Sequence, residues 1–344
     1  MRLFVPAKPT ALVRNIAAGV LMATLAPAVP AAMAAEFTMQ LGVIPRNEPL
    51  HHYIERFAER IEEASEGRIV AEVFAGGELG SVQRMLENTQ LGTQQMVVGP
   101  PAFARGMDRR YDVGDAPGLF QDLPHAFRAM QDPEFRDAFL GISDDLGLVG
   151  VGIWVYGPTA FATRQPVRSV DDLEGLRVRV LATEIETGAM RALGATGVPM
   201  DITEVVPAMQ NRAIDGVRSN HVALMGINAQ TAASYLSMTA DGMIPIVAWV
   251  SQSFMDSLPD DLRQMVLDVA REVEEEMLPV VEAAQERALG AWRQAGVEVI
   301  EFSPEERDRL LEYSRTVATE VFGQSSDTAE LFELLQDAAA RTAE

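Results

Sequence analysis

The sequence predicts an α/β protein of two lobes, and three observations support this fold class. Strand and helix patterns alternate as β-α-β-α-β from Glu36 to about residue 103. A second α/β unit begins near Gly157, and a long helical tail follows Pro259. Such alternation favours a mainly parallel sheet flanked by helices, and the tail is expected to lie across both lobes.

The first unit is predicted from apolar periodicity and turn residues. Strands are expected in EFTMQLGVIP, RIVAEVF and QQMVVGPPAF. Apolar positions at helical spacing predict a helix from about Leu50 that ends near Gly67. The next helix is expected in SVQRMLENTQLG, where Ser81 is the candidate N-cap.

The second unit and the tail follow the same logic. Strands are expected in LGLVGVGIWV, LRVRVLAT, GVPM and GVRSNH, and helices in EIETGAMRALGA and ITEVVPAMQNRAID, the latter with Thr203 as N-cap. From residue 259 to 295 the pattern is helical, with a kink expected at Pro279. After the strand GVEVIEF, Ser303 and Pro304 predict a strong helix start; that helix runs to Phe322 and another follows.

Residues 1–34 are predicted to be a cleaved signal peptide. Basic residues precede an apolar run, and Ala32-Met33-Ala34 fits a cleavage site. Export of this kind predicts a periplasmic protein of a Gram-negative bacterium.

The two lobes are expected to share the remaining residues. Lobe I is expected to contain residues 36–156 plus about 245–284, and lobe II residues 157–244 plus about 285–340.

The charge and composition of the chain exclude several classes of binding partner. Without residues 1–34 the chain has 25 basic against 50 acidic residues, a formal net charge of −25. That balance argues against nucleic acid and anionic membrane surfaces, and no later run is long enough to insert into a bilayer. The chain has no cysteine, so a hydrophobic core rather than disulfides must hold the fold.

The sequence offers no defensible catalytic or cofactor motif. It lacks a nucleophile elbow, a P-loop, a zinc-protease helix and a calcium loop. The four histidines are expected to be structural or solvated, so neither a metal nor another cofactor is expected. An exported two-lobed α/β chain of this kind favours a ligand-binding protein with its site between the lobes.

The segment DLEGLRVRVLAT raises the question of an anion site. Leu176, Val178 and Val180 alternate with Arg177 and Arg179, which predicts a strand with an apolar face and a basic face. The arginines either face water or bind an anion, and the pattern alone leaves both open.

Several blocks resemble TRAP transporter solute-binding proteins: FAGGELGSVQRMLENTQLG, DAPGLFQDLPHAF, PVRSVDDLEGLRVRV, RALGATGVPMDITEVVPAMQNRAIDG and SLPDDLRQMVLDVARE, in family order. The resemblance implies a two-lobed periplasmic binding protein fold with crossing strands and a long helix spanning both lobes. It implies a small organic acid as ligand and a two-part membrane permease as partner. It also implies that Arg179 binds the ligand carboxylate while Arg177 lies on the surface.

The same resemblance points to positions that set the ligand. Sialic-acid-binding members have arginine, phenylalanine and asparagine where this chain has Thr159, Ile202 and Ser219. We therefore expect an acid with fewer hydroxyls than a sugar acid: a 2-oxo acid, a hydroxy acid or an aromatic carboxylate. Apolar walls of the site are expected from a set of aromatic residues, although for each one taken singly a core position is favoured over a ligand contact: Trp154, Tyr156, Phe74 and Trp249.

Two points remain open. Arg218 either binds a second carboxylate of the ligand or, as strand alternation favours, points away from Ser219 into solvent. A ligand-sensing protein that docks on a membrane receptor, or less readily a periplasmic enzyme, is compatible with the same features.

Overall fold

A computed structural model describes residues 35–343, so the expected signal peptide at residues 1–34 lies outside the described residues. The strands in this part of the chain are β1 Phe37–Val43, β2 Ile69–Ala75, β3 Met96–Gly99, β4 Leu148–Thr163, β5 Arg177–Val180, β6 Thr196–Pro199, β7 Gly216–Asn220, β8 Tyr235–Ser251 and β9 Glu298–Glu301. The helices are α1 Pro49–Ala64, α2 Val82–Gln90, α3 Leu123–Met130, α4 Pro133–Leu140, α5 Glu184–Ala192, α6 Val205–Gln210, α7 His221–Gly226, α8 Gln252–Ser257, α9 Asp260–Glu275, α10 Met277–Gln294, α11 Pro304–Phe322 and α12 Ser326–Thr342.

One mixed sheet runs through the molecule in the order β2-β1-β3-β8-β4-β7-β5-β6, and β9 pairs with β8. Its centre is the antiparallel pair of β4 and β8, the two longest strands. The outer strand pairs β1–β2, β1–β3, β5–β6 and β5–β7 are parallel. The predicted α/β class is confirmed, with parallel strands in the outer parts of the sheet and antiparallel strands at its centre.

The long strands belong to both halves of the sheet. The second half of β8 pairs with β3, and its first half pairs with β9. Likewise, the last five residues of β4 pair with β7. We call β1, β2 and β3 the first strand group, and β5, β6, β7 and β9 the second strand group. The crossing strands β4 and β8 therefore join the two groups, as the two-lobed class requires.

The helical tail is interrupted close to the expected kink at Pro279. Glu276 separates α9 from α10 while keeping right-handed helical dihedral angles, and Pro279 lies in the first turn of α10. Proline is tolerated there because the first-turn N–H groups have no partner within the helix. Helix α10 packs against α1 and also against α7 and β9, so it extends from the first strand group to the second.

The last helix lies elsewhere than expected. Helix α12 packs against α3 and α4, which precede β4 and belong to residues expected in lobe I. His125 Nε2 hydrogen-bonds the Ala339 carbonyl at 2.8 Å, and Arg341 pairs with Asp132 at 2.8 Å. The expectation that lobe II extends to about residue 340 therefore does not match these contacts, because the apolar face of α12 covers α3.

Helix capping follows the sequence at two of three predicted positions. The Ser81 hydroxyl accepts from Arg84 N–H, and the Ser303 hydroxyl accepts from Glu306 N–H. Thr203 is not an N-cap: the Asp201 carboxylate accepts from Thr203 N–H at 2.9 Å instead. Aspartate and threonine are both good caps, so the pattern alone does not separate them.

None of the helices described between residues 35 and 343 is long and apolar enough to cross a membrane.

Candidate functional site

A cavity of about 260 Å³ opens where several strands of both groups end. Residues directly after the carboxyl ends of four parallel strands line it: Ile44, Gly76, Pro100 and Leu181. The crevice outside the carboxyl ends of strands is where open α/β sheets bind ligands. Its other lining residues are Pro45, Arg46, Glu48, Leu50, Val82, Phe103, Tyr156, Arg179, Ile202, Thr203, Ser219, Ala223, Gly226, Ile227 and Ile244.

Arg179 is the buried cation of this cavity. It lies on β5 between Val178 and Val180, and only 1% of its surface is exposed. Its Nε donates to the Met200 carbonyl at 3.0 Å, whereas Nη1 has no partner. Within residues 35–343 no carboxylate forms an ion pair with it. Burial lowers the pKa of the guanidinium, and the charges of Glu186 and Asp201 oppose that effect.

Arg177, on the same strand, has a different environment. It is exposed and forms an ion pair with Asp215 at 3.0 Å. The two arginines that looked equivalent in the sequence therefore separate: one lies at the surface with a carboxylate partner, and the other lies in the cavity with a free donor edge.

Glu48 is a second buried charged group at the cavity, and the sequence analysis missed it. It precedes α1 at the N-cap position but makes no capping hydrogen bond. Its Oε2 accepts from the Tyr156 hydroxyl, and its Oε1 has no partner. Burial raises the pKa of Glu48 to about 7, although the Tyr156 hydrogen bond acts in the opposite direction. In the sequence, the only available signal was an acidic residue directly before Pro49 at the start of a predicted helix.

The expected position of Arg218 in solvent is wrong. Its side chain is buried and forms ion pairs with Glu186 and with Asp241, the latter at 2.7 Å. Thr159 Oγ1 donates to Asp241 at 2.8 Å and belongs to the same cluster. Strand alternation does turn Arg218 away from Ser219, but that side of β7 is covered by protein rather than by water.

Four of the eight predicted ligand-site residues line the cavity: Arg179, Ile202, Ser219 and Tyr156. The others lie elsewhere. Thr159 is held by the Asp241 carboxylate, as described above. Trp154 is fully buried in the core and stacks on Tyr53 with ring centroids 6.0 Å apart. Trp249 is equally buried and its Nε1 donates to the Tyr111 hydroxyl.

Phe74 is half-buried on β2 and does not line the cavity. Only the carboxyl end of β2 reaches the cavity, at Gly76, two residues beyond Phe74. The apolar walls come instead from aliphatic residues and from Phe103, in the turn after β3.

No group of three or more histidine, aspartate or glutamate side chains between residues 35 and 343 is arranged to hold a metal ion. The cavity is lined by the buried Arg179 with an unpaired donor, the half-exposed Arg46 and one carboxyl group with a free oxygen, and the rest of its lining is largely aliphatic. This arrangement can bind a small anion, but it brings no nucleophile and base together.

A buried cation in a crevice between two strand groups defines the class of small-molecule binding proteins. Comparison with known proteins identifies the family. Residues 42–325 match the family described as bacterial extracellular solute-binding protein, family 7, and the chain belongs to it. It is therefore a solute-binding protein of the TRAP type and not an enzyme.

Relatives and solved structures agree with this assignment. The C4-dicarboxylate-binding periplasmic protein DctP of Rhodobacter capsulatus is 26% identical over 257 residues, 73% of this chain and 76% of the relative. A TRAP solute-binding protein of Pseudomonas putida F1, solved with D-glucuronate, is 26% identical with a TM-score of 0.81, covering 87% of this chain and 96% of that one. One from Desulfovibrio salexigens, solved with orotic acid, is 24% identical with a TM-score of 0.85, covering 89% and 99%.

Proposed function

We propose that this chain is the periplasmic component of a TRAP transporter, that it binds a small organic acid, and that Arg179 binds the ligand's carboxylate. The observation that carries the proposal is the guanidinium of Arg179: it is buried at the cavity wall, and its Nη1 has no partner. A buried donor without a partner costs free energy, and a carboxylate would supply the missing acceptors.

The chemistry of arginine suits this role. A guanidinium presents a planar fork that matches both oxygens of a carboxylate, and charge-assisted hydrogen bonds of this kind are strong. The Nε–H is already used by the Met200 carbonyl, which holds the plane of the group and leaves the terminal nitrogens for the ligand. The relative and the two solved structures described above are a C4-dicarboxylate-binding protein and proteins solved with D-glucuronate and orotic acid, all of them carboxylic acids.

The lining favours an acid with few hydroxyl groups. Most residues around the cavity are aliphatic, and Ile202 and Ser219 offer little hydrogen bonding where sugar-acid recognition would need several polar groups. Apolar walls with few polar groups are typical of sites for compact, mostly hydrocarbon ligands. Hydroxy acids, 2-oxo acids and aromatic carboxylates fit this description.

Transport would proceed by closure. The open crevice admits the acid, its carboxylate pairs with Arg179 of the second strand group, and the first strand group closes over it by bending of the crossing strands β4 and β8. The closed form is then bound by the membrane permease. The basic and apolar segments of residues 1–34 would direct the chain to the periplasm.

The test starts with the natural ligand. The acid that co-purifies with the protein is identified by mass spectrometry, and its affinity is measured by calorimetry. Arg179→Gln is expected to weaken binding about a hundredfold or more, because removing one partner of a buried ion pair costs about 3–5 kcal/mol. Arg179→Lys should recover only part of this affinity, since an ammonium lacks the planar fork.

Arg177→Gln is the matched control on the same strand. The Arg177 side chain is exposed and paired with Asp215, so the Arg177→Gln variant should bind the acid with the same affinity as the wild type. Equal affinity of the Arg179→Gln variant and the wild type would refute the carboxylate site.

A further inference from the structure

We propose that Glu48 is the second polar anchor of the cavity and selects acids that carry a hydroxyl or N–H group at the end remote from the carboxylate, against dicarboxylates. This inference rests on the proposed function, because it takes the carboxylate end of the ligand to be held by Arg179. It specifies what the other end must be.

One oxygen of Glu48 has no hydrogen-bond partner at the cavity wall. Only 8% of the residue is exposed, and the Tyr156 hydroxyl donates to Oε2. Tyr156 thereby fixes the plane of the carboxyl group, while Oε1 has no partner. Oε1 packs against the Cα of Gly226, itself a cavity-lining residue, and any larger residue there would displace it. Glu48 is thus held in place on two sides with one oxygen unused.

No cation neutralises this carboxyl group. Among residues 35–343 Glu48 forms no ion pair. Three arginines lie near it: Arg179 in the cavity, Arg46 in the same segment, and Arg287 on α10 behind it. Arg46 is half-exposed and forms an ion pair with Glu78 at 2.5 Å, so it does not neutralise the charge of Glu48. Within residues 35–343, Tyr156 is the titratable group that hydrogen-bonds Glu48, and burial raises the pKa of its hydroxyl.

An unpaired buried carboxyl oxygen needs a donor. Leaving such an atom unsatisfied costs about 1–3 kcal/mol, and a ligand hydroxyl or N–H would remove that cost. A second ligand carboxylate would have the opposite effect. It would face lone pairs of like charge, or it would require Glu48 to bind a proton before the complex can form. The cavity therefore favours a monocarboxylic acid with a distal donor.

Two series of acids on constant skeletons test this preference: benzoate, 4-hydroxybenzoate and terephthalate, and butanoate, 4-hydroxybutanoate and succinate. Affinities for the wild type and for Glu48→Gln are measured by calorimetry at pH 8, where Glu48 is mostly ionised. The wild type should bind the hydroxy acid of a series about tenfold or more tightly than the other two members, as a hydrogen bond to a charged group is worth about 1.5–3 kcal/mol.

Glu48→Gln keeps the size of the side chain and removes its charge. It should reduce the preference for the hydroxy acid and tighten binding of the dicarboxylate, so that the ratio between the two falls about tenfold or more. Glu72→Gln, the same chemical change at an exposed position on β2 that does not line the cavity, is the control and should leave the ratio unchanged.

The outcomes separate this inference from the proposed function. Tighter binding of the dicarboxylate by the wild type, or an unchanged ratio in Glu48→Gln, overturns the role of Glu48 while the carboxylate site at Arg179 stands. Loss of all binding in Arg179→Gln, together with an altered ratio in Glu48→Gln, supports both. If the wild type binds none of the six acids, the proposal for Glu48 is overturned. The carboxylate site at Arg179 is then tested with the co-purified acid alone.

Discussion

Arg179 and Glu48 are buried polar groups of opposite charge that share a cavity without forming an ion pair. Each leaves one polar atom unsatisfied, and each such atom costs about 1–3 kcal/mol. Under the proposed function, a ligand that satisfies both atoms removes this cost, and the cost removed adds to its binding free energy.

Glu48 should make the ligand-free protein less stable as the pH rises. Burial raises the pKa of Glu48 from its ordinary 4.5 to about 7, so the folded state binds more protons than the unfolded state between these values. The stability that the proton contributes is fully present below pH 4.5 and is lost as the pH rises through 7. Glu48→Gln should therefore be more stable than the wild type at pH 8 by about 2–3 kcal/mol.

Urea denaturation at pH 5 and pH 8 measures this difference. At pH 5 the gain from Glu48→Gln should nearly disappear. Glu72→Gln, the same chemical change at an exposed position on β2, should give no pH-dependent gain. A constant difference between wild type and Glu48→Gln across this range would contradict an elevated pKa.

Sequence patterns predict on which face of a strand or helix a residue lies, but they do not predict which distant residues cover that face. The period of two correctly separated Arg218 from Ser219, but it does not reveal that Glu186 and Asp241 cover the other face. Trp154 and Trp249 were candidates for a ligand wall although a core position was favoured for each, and contacts distant in sequence place both in the core. Glu48 was one acidic residue among 50.

At the scale of elements, local chemistry sets the helix boundaries. The start of α11 combines the Ser303 hydroxyl, which accepts from Glu306 N–H, with Pro304 and two first-turn acids. Ser303→Ala should destabilise the protein by about 1 kcal/mol, measured by chemical denaturation. Because the capping bond is local, the loss should be independent of bound ligand.

Ser325 provides the matched control for this prediction. It occupies the N-cap of α12, yet its side chain makes no capping hydrogen bond. Ser325→Ala should leave the free energy of unfolding almost unchanged. Equal losses in the two variants would show that something other than the capping bond stabilises the start of α11.

The predicted elements agree with the structure where signals are local and differ where they are not. Helix starts at Ser81 and Ser303 have cap residues that act within one turn. The expected strand in LGLVGVGIWV stopped at residue 155, whereas β4 continues through Gly157 and Pro158 to Thr163. Glycine and proline usually end strands, but here pairing with β7 and β8 on both sides overrides that tendency.

At the scale of the whole molecule, Gly157 lies where β4 passes from one strand group to the other. Its φ is +128°, and the β4–β8 register shifts beside it. The Gln285 amide of α10 and the Asn220 amide of β7 both donate to the Tyr156 carbonyl next to it. A Cβ at Gly157 would collide with both amides.

Gly157→Ala should therefore lower the free energy of unfolding by at least about 1–3 kcal/mol, since backbone strain of this kind adds to the collisions. The midpoint of urea unfolding measures the loss. Gly290→Ala in α10 is the control, because its Cβ meets no atom within 4 Å and alanine favours a helix by about 0.5–1 kcal/mol. A stable Gly157→Ala protein would mean that the crossing point tolerates rearrangement.

The crossing strands also bear on how this protein can change over generations. Because β4 and β8 pair with strands of both groups, each half of the sheet, taken with its share of these two strands, is assembled from separate stretches of the gene. Recombination that exchanged one half of the crevice for that of another protein would cut both central strands. We therefore expect a change of ligand to arise more readily through single substitutions around the cavity, at positions such as Glu48, Ile202 and Ser219.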